Sequence, residues 1–259
     1  MTGLLETFLL IMVLMLVMWS LSLVLRDCGI VDIFWAPGFA ITLWATCFLV
    51  PHVASPALTA LLILVTLWAL RLGGHLFVRW QGHEGEDRRY AAMRRKHGPN
   101  WWWWSFFQVF LLQGTLMWAI SLPLQLTVSA GPAPLNWLLY VGVAVAGAGI
   151  AIEALADWQL TAFRREPVNV DQVMDRGIWG WSRHPNYFGD FTMWWGFYLI
   201  ALSADLGHWW TIFSPIMMSI LLLRISGVTM LEHTIGRRRP GYEEYIRRTS
   251  VFVPLPPRG

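Results

Sequence analysis

The stretch GLLETFLLIMVLMLVMWSLSLVL, residues 3–25, carries one charged side chain in 23 residues. About 20 apolar residues in a helix cross the hydrocarbon of a bilayer. A chain holding such a stretch folds where every backbone polar group must be satisfied internally. No basic leader region or small-residue cleavage site accompanies it, so it reads as a first transmembrane helix and not a signal peptide. Comparable runs follow at 34–53, 55–73, 104–127, 135–156, 187–204 and 207–224. Seven spans predict an all-α, polytopic membrane protein, with residues 1–259 forming a single membrane-embedded domain. Composition agrees: 14% of residues are charged, against about 25% in a typical soluble domain.

The distribution of Lys and Arg predicts the orientation. Arg71 to Lys96 holds seven of them, Arg164 to Arg183 four, and Arg224 to Arg258 seven. The intervening connections near Pro51–Pro56, Gly131–Asn136 and Ala204–His208 hold none. By the positive-inside rule the basic loops are cytoplasmic, so the N-terminus is outside and the C-terminus inside.

Cys28 and Cys47 fall at opposite ends of neighbouring spans, which disfavours a bridge. The chain has no CxxC, HExxH, GxGxxG or P-loop pattern, leaving a zinc site or soluble-type nucleotide fold without motif support. No metal and no nucleic-acid partner is expected. The expected partners are the bilayer itself and a hydrophobic small-molecule substrate.

Polar residues concentrate on the predicted cytoplasmic side. Residues 182–190 read SRHPNYFGD, and they place Asn186 and Asp190 four apart, on one helix face. Asp190 would lie a turn inside an apolar span, where an unpaired carboxylate costs up to about 2.5–3.5 kcal/mol. Capping by Ser182 or Asn186, with Pro185 early in the helix, explains part of the string. It does not require His184, Tyr187 and Asp190 together. Glu153 and Asp157 also lie four apart, with Arg164 two turns on, which suits either an ion pair or a ligand with hydroxyl and phosphate groups. Arg237, Arg238 and Arg239 add guanidinium groups, whose planar donor forks suit phosphate. Arg94, Arg95, Lys96, Arg247 and Arg248 read as headgroup anchors, and the many Trp residues as interfacial belts.

Several of these stretches together resemble the bacterial branch of the steroid 5-alpha-reductase-like membrane family. They are DWQLTAFR from Asp157, SRHPNYFGD from Ser182, EHTIGRRRPGYEEY from Glu232 and TSVFVPLPP from Thr249. The earlier VDIFWAPGF from Val31, RLGGHLFVRW from Arg71 and GEDRRYAAMR from Gly85 are similar to that branch as well. The resemblance spans nearly the whole chain, although isoprenylcysteine carboxyl methyltransferases share an RHPxYxG string.

The resemblance implies a bacterial inner-membrane reductase with NADPH bound on the cytoplasmic side. The reaction would be reduction of a carbon–carbon double bond in an enone-containing lipid, typically a 3-oxo-4-ene steroid. It implies cofactor contacts at Asp157, Arg164, Arg183, His184, Asn186, Tyr187 and Asp190. Arg71 and Arg79 match the family's phosphate-binding arginines, and Glu232, His233, Arg237, Arg238 and Tyr242 fall where the family completes its cofactor pocket. Steroid reductases polarise the substrate ketone with a Gln-Glu pair and a Tyr that this chain lacks at the matching places. Asp32, with apolar neighbours Phe34 and Trp35, or His75 is the candidate replacement; Asp32 reads equally as a helix cap or a partner of Arg26. Two rival classes stay open: an S-adenosylmethionine-dependent methyltransferase using the same RHPNY element, and a non-catalytic lipid-binding membrane protein.

Overall fold

The computed structural model describes residues 3–82, 85–225 and 241–258, and among these every regular element is helical. Contacts group the chain into two compact units: residues 1–135 with 201–211, and residues 136–200 with 212–259.

The first unit is built on α1 (Leu4–Leu25), α2 (Ile30–Leu49) and α3 (Pro56–Gln81). Helix α3 starts where Ser55 accepts a hydrogen bond from the Leu58 amide at 3.2 Å and Pro56 takes the first helical position, the arrangement that suits a residue with no N–H. A short basic helix, α4 (Arg88–His97), is capped by Asp87. A continuous apolar stretch then runs through α5 (Trp101–Ser105), a π-helical turn at Phe106–Leu111 and α6 (Leu112–Ile120). It bends by 44° into α7 (Leu122–Ser129). Pro123 explains the bend, because it donates no backbone hydrogen bond and crowds the preceding turn.

Small residues let these helices approach closely. A Cβ on Gly73 would sit 2.8 Å from the Pro37 ring, and one on Gly114 would sit 2.8 Å from Met12 and Met15. Phe39, Leu43, Leu61, Val65 and Trp68 are fully buried between α2 and α3. Polar side chains also pair inside this unit: the Thr7 hydroxyl donates to Gln125 Oε1 at 2.7 Å, and Gln125 Nε2 donates to Ser121 Oγ at 2.7 Å. Such pairs hold helices together in lipid.

The second unit is dominated by α8 (Trp137–Arg165) and α9 (Pro185–Ala204), the last turn of α9 grouping with the first unit. Buried positions on α8 fall at Leu139, Gly142, Ala146, Gly149, Glu153 and Ala156, alternating three and four apart as an antiparallel seam requires. A Cβ on Gly142 would meet the Ile200 amide nitrogen at 2.8 Å, and one on Gly189 the Glu153 nitrogen at 2.6 Å. Gly149 lies against Met193, and Gly196 against Ala146. Four glycines thus draw the two backbones into contact. After α9 come a 3₁₀ stretch (Leu206–Ile212), α10 (Phe213–Ile220), a π-helical turn (Leu221–Ile225) and, beyond residue 240, α11 (Tyr242–Arg248).

Five helical stretches among the described residues are long and apolar enough to cross a membrane: Leu4–Leu25, Ile30–Leu49, Pro56–Gln81, Trp137–Arg165 and Leu206–Arg224. The bent stretch ending at Ser129 makes six. The protein is therefore an all-helical, multi-pass membrane protein. Residues 104–127 belong to the bent stretch, and 187–204 is helical but not apolar enough to rank with the five. The polar start of α9, with Asn186, Tyr187 and Asp190 in its first two turns, lowers its hydropathy.

Candidate functional site

In the second unit, polar side chains collect where the glycine seam ends. Glu153 is 4% exposed, beside the last tight backbone contact at Gly189. One turn further along α8, Asp157 is 8% exposed and its Oδ1 accepts a hydrogen bond from Asn186 Nδ2 at 3.4 Å. Asp190, one turn along α9 from Asn186, is also buried. His184 is buried just ahead of α9, and its ring stacks on Tyr187 at 5.7 Å with 4° between the planes. Arg183 is half-buried and Arg164 is exposed near the end of α8. Asp157, Asn186, Asp190, His184 and Tyr187 are thus brought into one neighbourhood.

The loop between α8 and α9 is fastened to both ends of the site. Trp179 Nε1 donates to the Ala156 carbonyl at 3.0 Å, and Gln159 Oε1 accepts from the Ile178 amide at 3.1 Å. The C-terminal segment then straps this loop: the Arg183 amide donates to the Ser250 carbonyl at 2.8 Å and Ser182 Oγ to the Phe252 carbonyl at 2.7 Å. Tyr245 donates its phenol to the Trp179 carbonyl at 2.7 Å, and the Leu255 amide donates to the Trp181 carbonyl at 3.0 Å. Tyr242 is buried beside Tyr245. At the start of α9, which begins at Pro185, Ser182 Oγ accepts from the His184 amide at 3.1 Å and Asn186 Oδ1 from the Tyr187 amide at 3.0 Å.

The remaining candidates belong to the first unit. Arg71, His75 and Arg79 follow one another every four residues along α3, on one face; Arg71 and His75 are half-buried and Arg79 is exposed. Asp32 lies in the first turn of α2, where a carboxylate complements the helix dipole. Its carboxylate is engaged by α4: Arg89 Nη2 donates to Oδ2 at 2.5 Å and the Tyr90 phenol to Oδ1 at 2.8 Å. Gln113 Nε2 in turn donates to the Tyr90 oxygen at 3.3 Å. The apolar surroundings expected from Phe34 and Trp35, and the pairing with Arg26, give way to an Arg–Asp–Tyr cluster.

A second charged cluster sits beside the first. Glu86 takes two bonds from Arg94, at 2.7 and 2.9 Å, and one from the Cys28 amide at 3.0 Å. Burial alone would raise the Glu86 carboxyl, but those bonds hold it below its ordinary value. Asp87 is lowered in the same way, its burial outweighed by Arg89. Burial and the neighbouring Glu86 push the Cys28 thiol up to about 12. Asp27 is buried and accepts from Trp80 Nε1 at 2.7 Å. Arg26, Asp27, Trp80 and Glu86 line an open cavity of about 640 Å³.

Sequence reasoning missed Glu86, Arg89, Tyr90 and Gln113 as a connected set, because their partners lie up to 58 residues away. The glycine seam did leave a signal in the seven-residue spacings of Gly142 to Gly149 and Gly189 to Gly196. Glu232, His233, Arg237 and Arg238 lie outside the described residues. Among the described residues, no group of three His, Cys, Asp or Glu side chains is arranged to hold a metal ion.

The fold and the seam define a polytopic helical membrane protein with a buried polar cluster at one end of a close-packed helix pair. Residues 18–249 match the family described as "Protein of unknown function (DUF1295)", the steroid 5-alpha-reductase-like group, and the chain belongs to it. It is also similar to an uncharacterised protein of Schizosaccharomyces pombe, 24% identical over 232 residues, or 78% of this chain and 65% of the yeast protein. The chain thus aligns with less than two thirds of that relative's length. No solved structure matches significantly.

Proposed function

We propose that the protein is an NADPH-dependent membrane reductase that saturates the carbon–carbon double bond of an enone-containing lipid, a 3-oxo-4-ene steroid being one candidate. The observation that carries this reading is the grouping of Asp157, Asn186 and Asp190 at the end of the α8–α9 seam in a steroid 5-alpha-reductase-like chain. The donor set suits a dinucleotide. Carboxylate and amide groups can pair with ribose hydroxyls and the nicotinamide amide, while the exposed Arg164 guanidinium can meet phosphate oxygens. The family resemblance alone gives cofactor roles to Arg183, His184, Tyr187, Tyr242, Glu232, His233, Arg237 and Arg238, and to Arg71 and Arg79 of the first unit.

When bound, the nicotinamide would supply the hydride. Charge then develops on the substrate's carbonyl oxygen, and in a dry site one well-placed donor stabilises it strongly. We assign that donor to Asp32 or His75, the two candidates for the place of the family's missing Glu and Tyr. In this reading α9 completes seven spans together with the six apolar ones. The basic loops and cofactor residues then face the cytoplasm of a bacterial inner membrane.

The test is to purify the protein in mild detergent, denature it and identify the released small molecules by mass spectrometry. A phosphorylated nicotinamide dinucleotide supports the reductase. An S-adenosyl compound would replace it with a methyltransferase, and a lipid alone would favour a binding protein. Asn186→Ala, Asp190→Ala and Arg164→Ala should each weaken NADPH binding by about tenfold, the value of one charge-assisted hydrogen bond. Unchanged affinity in all three folded variants would refute the site.

A further inference from the structure

The cations of α4 fall into two groups that the sequence does not separate. Arg89 and Arg94 point inward and are neutralised, Arg89 by Asp32 and Asp87, Arg94 by Glu86. Arg88, Arg95 and Lys96 are exposed and make no ion pair among the described residues. Positions 88, 92, 95 and 96 share one face at helical spacing, and all four are exposed, whereas Tyr90 on the opposite face is buried. Helix α4 is therefore amphipathic in charge: its inner side is closed by carboxylates, and its outer side presents three positive charges that no carboxylate among the described residues pairs.

This row lies next to the membrane. His97, at the end of α4, stacks on Trp101 at 5.9 Å and packs against Trp104 at 5.2 Å, while Arg94 lies over the Trp101 ring at 5.9 Å. From Trp101 the chain continues into the apolar stretch, with Trp102 57% and Phe107 50% exposed at its start. Exposed aromatic rings at the start of a span mark headgroup depth, so the three cations sit within a turn or two of the lipid phosphates. The Asp32 and Glu86 clusters fix the helix against its own unit and keep that face outward.

We propose that the outer face of α4 is a binding surface for anionic phospholipid headgroups, with Arg88, Arg95 and Lys96 meeting the lipid phosphates and Trp102 anchoring the helix at that depth. The argument is charge complementarity beside an aromatic belt, and it is independent of the enzymatic reading.

To test it, the purified full-length protein in neutral detergent is titrated with phosphatidylglycerol and, separately, phosphatidylcholine, and lipid adducts are counted by native mass spectrometry. Phosphatidylglycerol should bind at least about fivefold more tightly, the contribution of a single surface cation. The triple variant Arg88→Gln/Arg95→Gln/Lys96→Gln should lose the preference, while Arg176→Gln/Arg258→Gln, altering exposed cations elsewhere, should keep it. The unmutated protein supplies a second measure, because the preference of exposed charges should fall with added salt. Equal affinity for the two lipids, a preference that survives the triple substitution, or one indifferent to salt would overturn the proposal. So would tighter α4-dependent binding of soluble heparin than of phosphatidylglycerol, which would assign the face to a soluble polyanion.

Discussion

The Asp32 carboxylate ties α2 to α4 within the first unit. Its neighbours in sequence, Ile33, Phe34 and Trp35, describe an apolar setting that favours a neutral acid. Its neighbours in space are a guanidinium and a phenol brought by α4, and both donate to its oxygens. Removing the charge should therefore act on structure first. Asp32→Asn leaves Arg89 with a weaker acceptor and should cost about 1–3 kcal/mol, the range for a hydrogen bond to a charged group, read as a lower thermal midpoint in detergent. With an enone substrate in hand, the variant among Asp32→Asn and His75→Ala that lowers hydride transfer far more than NADPH affinity identifies the polarising donor. Full turnover in both variants would place the donor elsewhere. Asn186 and Asp190 were legible as neighbours because one helix carries both. The Asp32 cluster was not, since it depends on where α4 comes to rest.

At the scale of elements, the α8–α9 pair links packing to the site. Its glycines bring backbone against backbone, and the same register sets Asp157 opposite Asn186 one turn beyond the last contact. A methyl group at Gly189 would collide with the backbone of Glu153, which no rotamer change relieves. Gly189→Ala should thus lower the thermal midpoint by an overpacking cost of about 1–3 kcal/mol and weaken NADPH binding with it. Gly147→Ala, on the partner helix α8 with nothing within 4 Å of the added Cβ, should leave stability equal or slightly higher, because alanine is the better helix former. Equal effects at the two positions would mean that the seam is not tight. Hydropathy located these elements but not their ends. Helix α3 runs to Gln81 and α8 to Arg165, beyond the apolar limits at 73 and 156, because hydropathy registers the part of a helix in lipid and not the part that emerges. The bend before α7 was missed for a related reason: Pro123 is compatible with an apolar run but not with a straight helix.

With the bent stretch ending at Ser129 counted as one span, the number of crossings turns on α9. Six crossings would put the two termini on one side of the membrane, whereas seven put them on opposite sides. The glycine seam favours seven, because α9 lies antiparallel along the apolar α8 over the length from Gly142–Ile200 to Glu153–Gly189, and a helix so packed shares its partner's depth. The polar first turn of α9 then falls at the membrane boundary, where Asn186 and Asp190 can be held without the full cost of a charge at mid-bilayer. Gly85, Gly131, Arg176 and Arg258 are all exposed, so single cysteines there, in a chain lacking Cys28 and Cys47, can report sidedness. An impermeant thiol reagent applied to sealed, oriented vesicles should label positions 85, 176 and 258 from one side and 131 from the other. Position 258 labelling from the side of 131 would leave α9 or the segment after it uncrossed. Position 176 labelling with 131 would remove α8 as a crossing, and with it the cytoplasmic placement of the proposed cofactor site.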